Sequence, residues 1–238
     1  TGGTFLSDSG ATIQYSQHRR SGAFSGVYDG TGTVQFSSGT IDGNNADFRM
    51  TGQANVSGGM LTGTWTNYNN FELSDGTIAG VFTNLGDMTW SGGSVTTNGQ
   101  LINQAALTIG GPSYQFLSGT LDNSGTILFE STAYLITQDV GDTSLAGVLN
   151  NLASGVVETR GGTIQPWYSF GNFGTINNEG TWRKTTADTT TIQTPFNMQG
   201  GTIDAQEGTL TLSAGVDNTG GTFLSDSGAT IQYSQHRR

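Results

Sequence analysis

Apolar residues in this chain come in short alternating runs. Met88-Thr89-Trp90, Phe71-Glu72-Leu73, Val34-Gln35-Phe36, Leu107-Thr108-Ile109 and Leu210-Thr211-Leu212 each place two apolar side chains around one polar residue. A period of two puts the apolar pair on one side of a β-strand and the polar residue on the other, so each run predicts a short strand with one buried face. Between runs stand Asn84-Leu85-Gly86, Asn123-Ser124-Gly125 and Asn178-Glu179-Gly180. They read as turns, because Asn and Gly tolerate the positive φ of a sharp corner. Gly-Gly pairs at 58–59, 92–93, 110–111, 161–162, 200–201 and 220–221 mark another corner. Pro112, Pro166 and Pro195 fall where the pattern is least regular and predict protruding loops.

A longer period lies over the alternation. Gly, then Thr or a substitute, then an aliphatic residue or Phe recurs at Gly3-Thr4-Phe5, Gly39-Thr40-Ile41, Gly59-Met60-Leu61, Gly76-Thr77-Ile78 and Gly93-Ser94-Val95. It returns at Gly119-Thr120-Leu121, Gly162-Thr163-Ile164, Gly201-Thr202-Ile203 and Gly221-Thr222-Phe223. Short intervals cluster at 17–20 residues and most of the long ones are near twice that, which predicts about eleven coils. Ala23–Gly39 aligns without a gap on Thr77–Gly93, placing Tyr28 with Phe82, Val34 with Met88 and Phe36 with Trp90, and a coil boundary near residue 22. Thr40–Gly59 likewise aligns on Thr202–Gly221, with Phe48 and Met50 over Leu210 and Leu212. Leu145, Val148, Leu149, Leu152 and Val156 fall at helical spacing within Ser144–Gly162. That stretch nevertheless aligns on Ile78–Gly93 with small insertions, so it reads as another coil.

The fold expectation is therefore all-β: a parallel β-solenoid (β-helix) with coils of 17–20 residues, continuous over residues 1–238. Its ends carry the same 20-mer, TGGTFLSDSGATIQYSQHRR, as Thr1–Arg20 and again as Thr219–Arg238. The identity predicts a tandem array in which 1–218 is one period and 219–238 starts the next. A coil this short cannot offset the entropy of ordering itself, so coils must stack. With strands about 4.8 Å apart, a period of eleven coils spans roughly 50 Å. Solenoids usually carry caps. None is visible here, since the last coil copies the first, and the expected object is an uncapped stretch inside a longer rod.

Composition adjusts this picture. Hydrophobic residues make up 33% of the chain and 38 of its 238 residues are Gly, too thin a stock for a thick globular core. Aromatics at 10%, regularly placed, argue against disorder. The net charge of −10 sets the chain against polyanions and excludes nucleic acid as a main partner. There is no cysteine, which removes disulfides and thiolate metal sites; His18 and His236 are the only imidazoles, which makes structural zinc implausible. No apolar run approaches the ~20 residues of a membrane span, and no signal peptide is visible.

Gly59–Gly93 and Gly201–Gly221, with their GGTI, TN-x-G and SGG strings, resemble the β-solenoid shafts of bacterial surface proteins, including autotransporter passengers and filamentous haemagglutinin-like adhesins. The resemblance is one of pattern over nearly the whole chain. It implies an extracellular, cell-surface fibre with a structural or adhesive role, and it transfers no site residues.

The chain also carries residues that suit other chemistry. A carbohydrate-active β-helix enzyme, a polysaccharide lyase or hydrolase, needs two carboxyls about 5–10 Å apart. Asp42, Asp122 and Asp204 share one motif position, but in coils far apart. Asp139 and Asp142, around Gly141, are a loose calcium pair without the nonapeptide motif. Thr4, Thr40, Thr77, Thr120, Thr163, Thr202 and Thr222 suggest one Thr column of the ice-binding kind, broken at Met60 and Ser94. β-propensity at an outward position accounts for it equally. His18-Arg19-Arg20, its copy at 236–238 and Arg183-Lys184 are the basic groups that would dock on a neighbouring fibre. Trp65, Trp90, Trp167 and Trp182 are the tryptophans that could act as sugar platforms if exposed. Trp90 aligns with Phe36 and reads as core, while Trp167-Tyr168, after Pro166, is the candidate surface platform for sugar. No residue is assigned a catalytic, cofactor-binding or metal-binding role, and no cofactor is expected. The expected partners are neighbouring repeats end to end, other fibres side by side, and a surface glycan or neighbouring cell.

Overall fold

A computed structural model describes residues 2–16, 18–19, 24–234 and 236–237, the pairs 18–19 and 236–237 as backbone only. Every named strand belongs to one sheet and every strand pairing is parallel, wound into a β-solenoid of about 11 turns. Each coil has three faces. In one coil Val81–Asn84 forms the first, Asp87–Trp90 the second and Gly93–Val95 the third. The next coil repeats them as Gln100–Asn103, Ala106–Ile109 and Gln115–Leu117, each in parallel register with its predecessor. Ser144–Gly162 follows the same plan, with strands Val148–Asn151 and Val156–Thr159 and no helix.

Alternation decides what is inside. Nearly every strand of the first and second faces buries its second and fourth residues, as in Val81–Asn84 and Asn70–Leu73. The third face contributes mostly one aliphatic residue per coil, among them Ile41, Leu61, Ile78 and Val95. Near the N-terminal end the interior is aromatic: Phe48 stacks on Trp65 at 5.0 Å and Phe71 meets Phe82 at 4.5 Å. Such pairs add to the burial of their own large areas. Trp65, Trp90 and Trp182 all lie inside, and Phe36 and Trp90 hold the same inward position of the second face.

The Asn-Gly segments differ from their reading as turns. The corners exist, but the asparagines are not the corner residues. Asn67, Asn84, Asn103, Asn123, Asn151 and Asn178 close successive first-face strands, point inward and are wholly buried. Each Nδ2 donates to the Oδ1 of the next at 2.7–2.8 Å, across sequence separations of 17, 19, 20, 28 and 27 residues. The second Nδ2 proton goes to a backbone carbonyl, for example that of Ala106 from Asn84 at 2.9 Å and that of Thr181 from Asn151 at 3.1 Å. A buried amide is costly unless both ends are paired, and in a stack each member pairs its neighbours. The ladder ends on the Met198 sulfur, 3.5 Å from Asn178.

Gly-Thr-aliphatic proves not to mark a single coil position. Thr4 and Thr120 lie on the first face, Thr202 and Thr222 on the second, and Thr40, Thr77 and Thr163 on the third. The physical reason is that all three corners make the same demand: a tight turn, then an outward β-former, then an inward apolar residue. Thr40–Gly59 and Thr202–Gly221 are accordingly alike in sequence but one face out of step, with Phe48 on the first face and Leu210 on the third.

The terminal 20-mer shows the same displacement. Thr4–Ser7, Thr12–Tyr15 and His18–Arg19 occupy the first, second and third faces. Thr222–Ser225, Thr230–Tyr233 and His236–Arg237 occupy the second, third and first. The side chains nevertheless keep their sense, since Phe5 lies over Tyr28 and Phe223 over Ile203, both inward. The 218 residues from one copy to the other thus advance ten coils and one further face, so the second copy starts a face away from the first. The coil boundary near residue 22 lies outside the described residues.

Candidate ligand-binding face

Two coils exceed the basic length, at 28 and 27 residues along the Asn ladder. The excess leaves the rod as two loops at the corner between third and first faces, residues 137–147 and 166–174. They are fastened to each other. Gln138, fully buried, donates from Nε2 to the Phe170 carbonyl at 2.8 Å and accepts from the Tyr168 N–H at 2.6 Å. Thr137 donates to the Phe173 carbonyl at 2.9 Å and shares a 2.7 Å hydroxyl contact with Thr194. A third insertion, around Pro112, precedes Gln115–Leu117.

These insertions bring aromatic rings together outside the rod. Tyr114 lies 5.2 Å from Tyr134 and 5.4 Å from Trp167, both edge-to-face, and 6.2 Å from Phe116. Trp167 continues to Tyr168 at 6.4 Å, which stacks on Phe170 at 5.4 Å. Beside the cluster is a cleft of about 490 Å³ lined by Asp75, Thr77, Ser94, Ser113, Tyr114 and Phe116 with intervening Gly and Pro. Thr77, Ser94 and Phe116 are in register on consecutive coils, so its floor runs along the rod axis. Trp167-Tyr168 is where the sequence placed a surface platform. Tyr114, Phe116 and Tyr134 were missed because only the fold brings them beside it.

The remaining candidates do not assemble. Asp42, Asp122 and Asp204 lie on the third, first and second faces. Each is held locally: Asp42 by Thr62 at 3.2 Å, Asp122 by Gln100 and Asn150 at 2.7 Å, and Asp204 by Gln206 at 2.8 Å. Asp139 accepts from the backbone N–H of Gly141 and Asp142, and Asp142 from the N–H and hydroxyl of Ser144. The Ser144 bonds, hydroxyl first, hold the Asp142 carboxyl below its usual range. Among the described residues no three His, Cys, Asp or Glu gather as a metal would require. Arg183 and Lys184 part company, the first outward 3.4 Å from Asp204 and the second wholly buried. Lys184 donates to the carbonyl and hydroxyl of Thr186, and burial lowers its pKa against the opposing pull of Asp188 and Glu207. Of the His18-Arg19-Arg20 cluster and its copy, Arg20, Arg238 and all the side chains lie outside the described residues. No helix among the described residues is long and apolar enough to cross a membrane. No protein-family model, curated protein or solved structure matches the chain.

Proposed function

We propose that this chain is a segment of an extended extracellular rod, a structural or adhesive shaft at a bacterial cell surface whose length follows the number of repeats. One observation carries the reading. The second copy of the 20-mer continues the parallel ladder of the coils before it with the inward and outward sense of the first copy. A following period can thus propagate the sheet without a break, and stacking of neighbours is what stabilises such coils. The mechanism is mechanical: the rod holds a partner or tip at a distance set by coil count. An enzymatic reading has less support, because Asp42, Asp122 and Asp204 point away from three different faces. An ice-binding reading loses its single Thr column in the same way.

Immunogold labelling of intact producing cells tests the setting, using antibody raised against the 137–147 loop. Label along surface fibres is the expected outcome. Label that appears only after the cells are opened overturns the proposal.

A further inference from the structure

Exposed aromatic rings are unevenly distributed on this rod. Seven stand out among the described residues, and Tyr114, Tyr134, Trp167 and Phe170 are in one place. Of the others, Phe5 and Tyr233 belong to the terminal coils, and Tyr68 lies alone under the Arg49 guanidinium at 4.9 Å. Folding does not require these four, since inward positions of the same coils are already filled by Leu117, Leu135 and Ile164. A gathered apolar surface of this kind marks a binding site. The adjoining cleft has the size of a small-ligand site. Its floor joins Phe116 to two polar residues, the Thr77 and Ser94 hydroxyls lying 3.2 Å apart; Asp75 is part of the lining, and among the described residues no Lys, Arg or His is.

We propose that this face binds a neutral glycan, lying along the rod axis with sugar rings against Tyr114 and Trp167 and sugar hydroxyls on Asp75, Thr77 and Ser94. The chemistry selects the class. A pyranose has a C–H-rich face that suits the electron-rich face of an aromatic ring, and an edge of hydroxyls that suits carboxylate and hydroxyl partners. A sulfated or uronic glycan would meet Asp75 and a net charge of −10 with no lining cation. A lipid chain would offer the Thr77 and Ser94 hydroxyls no partner. The proposal deepens the adhesive reading and rests on it for its setting.

Laminarin, xyloglucan, galactomannan and dextran, with heparin as the anionic comparison, are titrated against the chain by tryptophan fluorescence and affinity electrophoresis. At least one neutral glycan is expected to bind. Tyr114→Ala and Trp167→Ala should each weaken it at least about tenfold, the loss usual for an aromatic anchor, while Tyr68→Ala leaves it unchanged. Ser94→Tyr, which fills the cleft from an outward strand position, should do the same without removing a ring. No binding by any neutral glycan, binding of heparin alone, or affinity unmoved by all three site variants overturns the proposal. Solution scattering on the same samples reads the rod separately. An intact rod without binding removes the site and leaves the shaft, while binding by a chain that immunogold labelling finds only in opened cells removes the surface setting and leaves the site.

Discussion

At the scale of single residues, the side chains that decide most are polar ones inside. Asn123 sits in mid-ladder, donating to Asn151 at 2.8 Å and accepting from Asn103 at 2.7 Å. Asn123→Ala strands an N–H of Asn103 and the Oδ1 of Asn151 in a dry interior, and should cost about 2–4 kcal/mol by urea unfolding. Asn177 belongs to a second ladder on the outer side of the same face, between Asn150 and Asn197 at 2.8 and 2.9 Å. Water can replace its partners, so Asn177→Ala should cost under about 1 kcal/mol. Lys184 gives a pH signature. Its native pKa is lowered by burial, so between that value and the ordinary lysine range the unfolded chain binds more protons than the native one. Stability from this group is lowest where both states are charged and rises with pH across that window. Lys184→Met should abolish the rise, as read by unfolding midpoints at a series of pH values below the ordinary lysine range.

At the scale of elements, strands and their inward residues were legible from alternation, while faces were not. Gly-Thr-aliphatic suits all three corners, so the sequence shows that a corner is turned without showing which. The asparagines were obscured by a related degeneracy, because the same residue serves a positive-φ corner and a buried amide ladder. A usable signal was present: Trp65-Thr66-Asn67, Phe82-Thr83-Asn84, Leu121-Asp122-Asn123 and Ile176-Asn177-Asn178 all place Asn two residues after an inward apolar side chain. Positive φ is carried mostly by glycines at other positions, among them Gly63, at 74°, where an added Cβ would come within 1.9 Å of the Gly43 carbonyl oxygen. The loops are tied in part through one buried residue, Gln138. Gln138→Ala removes both bonds to the 166–174 loop and should raise hydrogen exchange and proteolysis at Tyr168 and Phe170, with the strands of the rod still protected. Half of the candidate site was visible in sequence, as Trp167-Tyr168. The other half, Tyr114, Phe116 and Tyr134, lies in two preceding coils, and only coil stacking makes them neighbours.

At the scale of the molecule, the spacing of the two 20-mers and the coil are out of phase. If the 218 residues repeat in tandem as proposed, ten coils and one face per period would show the aromatic cluster on each of the three faces in turn. A shaft so built would meet glycans on every side. The chain has no cysteine, so Ser113→Cys supplies a unique label in each period. In a chain of two periods the labels should lie roughly 50 Å apart along the axis and about a third of a turn around it. Labels on the same side would mean that the coil count per period is whole. The most direct test is of length. Small-angle X-ray scattering compares residues 1–238 with the same chain extended by a second copy of 21–238. Continuous stacking gives a maximum dimension longer by roughly 50 Å at an unchanged cross-section. An unchanged length, or a thicker particle from periods lying side by side, would contradict the rod.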